Sequence, residues 1–164
     1  MVLKWHFFRI ICALQLVCAL YFAMDAFASF LNSGRFMSAV ALLSMLLVGA
    51  LAGLGISLLS RNYPAAPVEG KQKKTFNRLF LVNILLLALL FAKMFSLLSG
   101  LRKLGSYADT NWYNFSWQFT YPFYLSVFVL LAQFIILFGL YFLRRELYDN
   151  FTRKKFEFEN SEGS

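Results

Sequence analysis

Apolar residues dominate four long stretches of this chain, and polar residues gather between them. The stretches cover residues 7–31, 36–59, 79–101 and 122–143. A helix rises about 1.5 Å per residue and a bilayer's hydrocarbon core is about 30 Å thick, so roughly 20 apolar residues suffice for one crossing. The pattern predicts an all-α integral membrane protein: a four-helix bundle of four transmembrane helices in a single domain, residues 1–164, with a tail over 144–164. The first stretch has a rival reading as a secretory signal, because Lys4 and Arg9 precede the apolar run and "AFAS" at 26–29 resembles a cleavage site. The run is longer than a signal core and contains Asp25, which favours a retained span.

Composition agrees with this solvent. The chain is 60% hydrophobic and 15% charged, with 20 Phe, whereas a soluble domain is about a quarter charged. Basic residues set the expected orientation, since short loops rich in Lys and Arg stay cytoplasmic. With the N-terminus inside, Lys4, Arg9, Arg61, Lys71, Lys73, Lys74, Arg78, Arg144, Arg145, Arg153, Lys154 and Lys155 fall on one side, and only Arg35, Arg102 and Lys103 on the other. Both termini are therefore expected in the cytoplasm of a multi-pass protein of the plasma (bacterial inner) membrane. The formal charge of +8 follows from this bias and from attraction to anionic headgroups, and it gives no reason to expect nucleic acid.

The turn "LNSGRF" is short enough to force spans one and two into an antiparallel hairpin. The connection "SRNYPAAPVEGKQKKTFNR" is expected to be long, with Pro64 and Pro67 barring a regular helix. Between spans three and four, Trp112, Tyr113 and Trp117 lead a crowd of aromatics. These residues suit the headgroup level as a belt, or an outer interface for a partner or ligand. After the fourth span the helix is expected to continue for a few turns and then fray over "ENSEGS".

A few polar residues interrupt the spans. Lys93 lies 15 residues after Arg78, and Asp25 lies 16 residues after Arg9. Spans one and three run in the same direction, so both ionisable residues sit about 22 to 24 Å in from the same edge. A charge in hydrocarbon costs on the order of 3 kcal/mol, which favours pairing. An Asp25–Lys93 pair is expected, with a Lys93 that reaches the headgroups, or lines a path, as the alternatives. Gln15 and Asn83 each stand ten residues before those two, so they match in depth as well and are expected to touch. Gln133 is the candidate to join this intramembrane network. Small residues at four-residue spacing, Gly49, Gly53 and Ser57 on span two and Ala88, Ala92, Ser96 and Gly100 on span three, are expected to let those spans cross closely.

Catalytic chemistry is hard to assemble from this chain. His6 is the only histidine, Cys12 and Cys18 point to different faces of one helix, and Asp25 is the one acid within the spans. No metal ligand set, cofactor motif or nucleophile motif emerges. Two readings follow. One is a non-catalytic accessory or assembly subunit of a larger membrane complex, whose partners are the lipid bilayer and other membrane protein subunits or a homo-oligomer. The alternative is a small solute or ion transporter or channel that acts as an oligomer, with Asp25 and Lys93 lining the path.

Overall fold

The computed structural model describes residues 3–61, 63 and 70–162, of which the side chains at 154, 155 and 157–162 are left aside. It is all-helical: α1 (Leu3–Ser33), α2 (Phe36–Arg61), α3 (Gly70–Tyr107) and α4 (Trp117–Glu162), with a single 3-10 turn at Trp112–Asn114 before α4. Each of the four helices contains a segment long and apolar enough to cross a membrane.

Neighbours around the bundle run α1, α2, α3, α4 and back to α1. Helices α2 and α4 approach across one diagonal, while α1 and α3 stand apart across the other. The α1–α2 hairpin is the most intimate pair, because only Gly34 and Arg35 separate its helices. Gly34 takes the left-handed conformation, φ +58°, and its N–H donates to Phe30 O at 2.8 Å. That cap stops α1 where a side chain would be strained.

The helices outrun the apolar stretches that signal them. Helix α3 begins at Gly70, so Lys71, Lys73, Lys74 and Arg78 stand on a helix rather than in a long connection. Pro64 and Pro67 lie outside the described residues. Backbone of α4 stays helical to Glu162, through the tail expected to fray. Hydropathy marks where a helix suits lipid, but Lys, Arg and Glu carry good helix propensity and extend the hydrogen-bonded backbone beyond it.

The core divides into two apolar clusters. Near the termini, Trp5, Phe8, Cys12, Leu51, Leu58, Ile136, Leu140 and Leu143 pack together. In the other half, Ala19, Phe22, Met45, Val48, Leu90, Val129 and Leu130 do so. Phe8 holds the first cluster tightly. Its ring lies against the backbone of α4 at Gly139 and of α2 at Gly55, where an added Cβ would overlap the ring or come within 2.9 Å of Cys12 Sγ. Cys12 and Cys18 are both free thiols.

The small-residue stripes do not bring α2 and α3 together as expected. Gly49 faces α1, where a Cβ would sit 3.5 Å from that of Ala19. Gly53 faces open space and Ser57 is half-buried. Ala88, Ala92, Ser96 and Gly100 are all exposed on the outside of α3. A small stripe permits close approach without choosing the partner. Here the two-residue turn makes α1 the partner of α2.

Candidate functional site

Three buried amides form a chain between the two apolar clusters. Gln15 Nε2 donates to Gln133 Oε1 at 2.9 Å and to Val129 O at 3.0 Å. Gln133 Nε2 donates to Asn83 Oδ1 at 2.7 Å. Asn83 Nδ2 in turn donates to Leu79 O at 2.9 Å and to Leu47 O at 3.3 Å. All three side chains are fully buried, and through Leu47 the chain reaches all four helices. Gln15 and Asn83 do share a level, but they meet through Gln133 and not directly. Neutral amides neither titrate nor accept a charge. What they do is fix the rotation and register of the helices, because a slip would strand buried polar atoms. Gln15 Oε1 and Ser126 Oγ are the buried side-chain polar atoms without a partner among the described residues.

Asp25 and Lys93 stay outside this chain, and their expected ion pair is not closed. Among the described residues the one salt bridge is Lys4–Glu146. Lys93 Nζ instead lies over the ring of Phe22, 4.6 Å from its centroid, a cation–π contact. Asp25 is exposed on the outer side of α1. The two were matched in depth, but α1 and α3 stand across the diagonal and Lys93 meets the Phe22 ring of α1 in place of a closed ion pair.

At the end of the bundle that carries both termini, Glu146 collects three donors. Lys4 Nζ reaches Oε2 at 2.6 Å, while Trp5 Nε1 at 3.2 Å and the Tyr63 hydroxyl at 3.1 Å reach Oε1. Partial burial pushes the Glu146 carboxyl up, but the hydrogen bonds from Lys4, Trp5 and Tyr63 outweigh it, and the net shift is downward. Burial and the bond to Glu146 raise the Tyr63 hydroxyl. Sequence reasoning missed this cluster, because Glu146 is one acid in a charged tail and its partners lie more than eighty residues away.

Two clefts open on either side of α4 at this end. The α1/α4 cleft, about 680 Å³, includes Lys4, Arg145, Glu146 and Asp149 over Phe8 and Phe138. The α3/α4 cleft, about 640 Å³, is lined by aromatics with Lys73, Arg144 and Arg145, and among the described residues by no carboxylate. At the opposite end, Trp112 is half-buried against Phe123, with ring centroids 5.5 Å apart, while Trp117 stacks on Tyr124 at 5.8 Å. Tyr113 and Trp117 remain exposed. Among the described residues no three His, Cys, Asp or Glu side chains gather to hold a metal ion.

No known family matches the chain, and no curated protein or solved structure matches it.

Proposed function

We propose that the chain is a multi-pass protein of a plasma or bacterial inner membrane, with both termini in the cytoplasm, serving as a non-catalytic accessory or assembly subunit of a larger membrane complex. The observation that carries this reading is the interior. Its amides are hydrogen-bonded to one another, and the layers on either side are filled by fully buried Val48, Leu51, Ile136 and Leu140. Such an interior is a scaffold without a polar way through. The broad exposed apolar faces, Leu81, Leu85 and Leu89 on α3 among them, suit lipid and neighbouring helices.

The second reading, an oligomeric path, draws on exposed Asp25 and on Lys93 outside the amide chain. Reconstitution separates the two. The purified protein in proteoliposomes is expected to pass no ions or small solutes, and in mild detergent extracts of native membranes to migrate as part of a larger hetero-assembly. Flux that disappears with Asp25→Asn while the fold persists would establish the path instead. Orientation is tested with single cysteines in a background lacking Cys12 and Cys18. An impermeant reagent applied outside is expected to label positions 106–110 and not position 161.

A further inference from the structure

We propose that the groove between α3 and α4 binds a single anionic phospholipid, with its headgroup at the cationic mouth and an acyl chain along the apolar floor. The inference rests on the membrane reading above, and it is independent of whether the protein serves as an accessory subunit.

Three features of the groove converge on this ligand. At the mouth, Lys73, Arg144 and Arg145 approach one space, with no carboxylate among the described residues that line it. Arg144 is held ready: its Nη1 donates to Asn77 Oδ1 at 2.7 Å, and its guanidinium lies 5.2 Å from the centre of the Phe76 ring. One of its five N–H donors is thereby engaged, and the planar fork is fixed for a phosphate oxygen. Lys73 and Arg145 are exposed. They form no salt bridge among the described residues.

Deeper in, the groove changes character without ending. Phe80 and Tyr141 close the cationic cleft and open a second one, about 330 Å³, that holds no charged residue. Ile84, Leu87, Phe134 and Phe138 line that inner part. A soluble anion would need the mouth alone. A lipid needs both parts, joined in this order.

Length supplies the third feature. From Lys73 to Leu87 is 14 residues of α3, about 21 Å along the axis. One leaflet with its headgroups is about 20 to 22 Å thick. The mouth therefore stands at headgroup level when the inner cleft reaches the bilayer middle. Basic pockets between spans at the cytoplasmic face are where anionic headgroups bind. The α1/α4 cleft cannot take the same ligand equally well, because Glu146 and Asp149 stand in it.

Native mass spectrometry of the full chain in detergent tests the assignment, with dioleoyl phosphatidylglycerol and dioleoyl phosphatidylcholine as matched probes. The anionic lipid is expected to bind at least tenfold more tightly. Lys73→Gln and Arg145→Gln, both at exposed positions, are each expected to weaken it about fivefold, and the pair more than tenfold. Ile84→Trp, which fills the apolar part and alters no charge, is expected to weaken both lipids. Arg102→Gln with Lys103→Gln, at the other end of the bundle, is expected to leave binding as it was. Equal affinity for the two lipids would overturn the proposal, as would full binding by the Lys73/Arg145 double variant. Displacement of the lipid by glycerol phosphate at similar concentration would assign the mouth to a soluble anion and overturn it too. Partner association enters none of these readouts, so they remain decisive if the accessory-subunit reading fails.

Discussion

Helix α4 presents two contrasting surfaces where the start of α1 packs against it. Towards α1, Glu146 accepts from Lys4, Trp5 and Tyr63, and the Phe8 ring is pressed between Gly139 and Gly55. Towards α3, Arg144 and Arg145 line a wide groove with no acid among the described residues that line it. Each surface opens a cleft, but the carboxylate of the first is met by the chain's own donors. The second leaves its cations above an apolar floor. Arg144 and Glu146 thus belong to opposite designs, because positions two apart on a helix differ by about 200°. The contrast separates what the fold needs from what the fold offers to its surroundings.

The largest expected effect probes the packed side. Phe8→Ala should lower stability by about 3 to 5 kcal/mol, as removal of a buried aromatic does. Gly139→Ala should cost about 1 to 3 kcal/mol, since its Cβ would overlap the Phe8 ring and force that ring to shift. By contrast Ile84→Ala and Tyr148→Ala in the open groove should each cost about 0.5 kcal/mol or less. Denaturant unfolding in one fixed detergent reads all four, and similar losses on both sides would dissolve the distinction.

Next in size is the amide chain that joins the two sides. Gln133→Leu deprives Gln15 of one acceptor and leaves Asn83 Oδ1 buried without a donor, for an expected loss of about 1 to 3 kcal/mol. Gln15→Leu should cost less, because Asn83 then keeps its bond from Gln133. Replacing all three by Leu should cost less than the three single losses added together. Strict additivity in that set would mean that the chain does not act as a unit.

These residues also show how far the sequence could be read. Four apolar stretches foretold four helices, equal spacing put Gln15 and Asn83 at one level, and Gln133 stood as the candidate to join them. Depth along a helix follows from a count at about 1.5 Å per residue. Azimuth and helix neighbourhood do not follow from that count. Hence Gln15 and Asn83 were matched in level but given to each other, when Gln133 stands between them. Asp25 and Lys93 failed for the same reason, with Phe22 in place of the acid. The groove left a signal that was overlooked: Lys73, Phe76 and Phe80 recur at helical spacing, as do Tyr141, Arg145 and Tyr148. Only the α3–α4 contact turns those two rows into one site.

A smaller effect tests that substitution of partners. If Lys93 rests on Phe22, then Phe22→Leu and Lys93→Met should show a coupling of about 0.5 to 1 kcal/mol in a double-mutant cycle. Asp25→Asn with Lys93→Met should show a weaker coupling than that. Coupling to Asp25 instead of Phe22 would restore the ion pair.

The smallest effect belongs to the charges that close the α1 side. An exposed pair such as Lys4–Glu146, with Lys4 58% exposed, contributes at most about 1 kcal/mol. Its pH dependence is nevertheless distinctive. The folded Glu146 carboxyl lies below its usual 4.5, so its stabilising share is complete above about 4.5 and is lost as pH falls through the folded value. The Tyr63 hydroxyl is shifted the other way, above its usual 10.0, so its share is complete below about 10 and is lost as pH rises through the raised value. Stability differences between the wild type and Glu146→Gln should therefore be flat from about pH 5 to 9 and shrink towards pH 3. Lys73→Gln, in the groove that no acid lines among the described residues, should show no such acid-side loss. A Glu146→Gln difference that stays constant from pH 7 to 3 would remove Glu146 from the packed side. Since Arg144 and Glu146 would then both be surface charges of one tail, the two faces of α4 would no longer differ in how their charges are met.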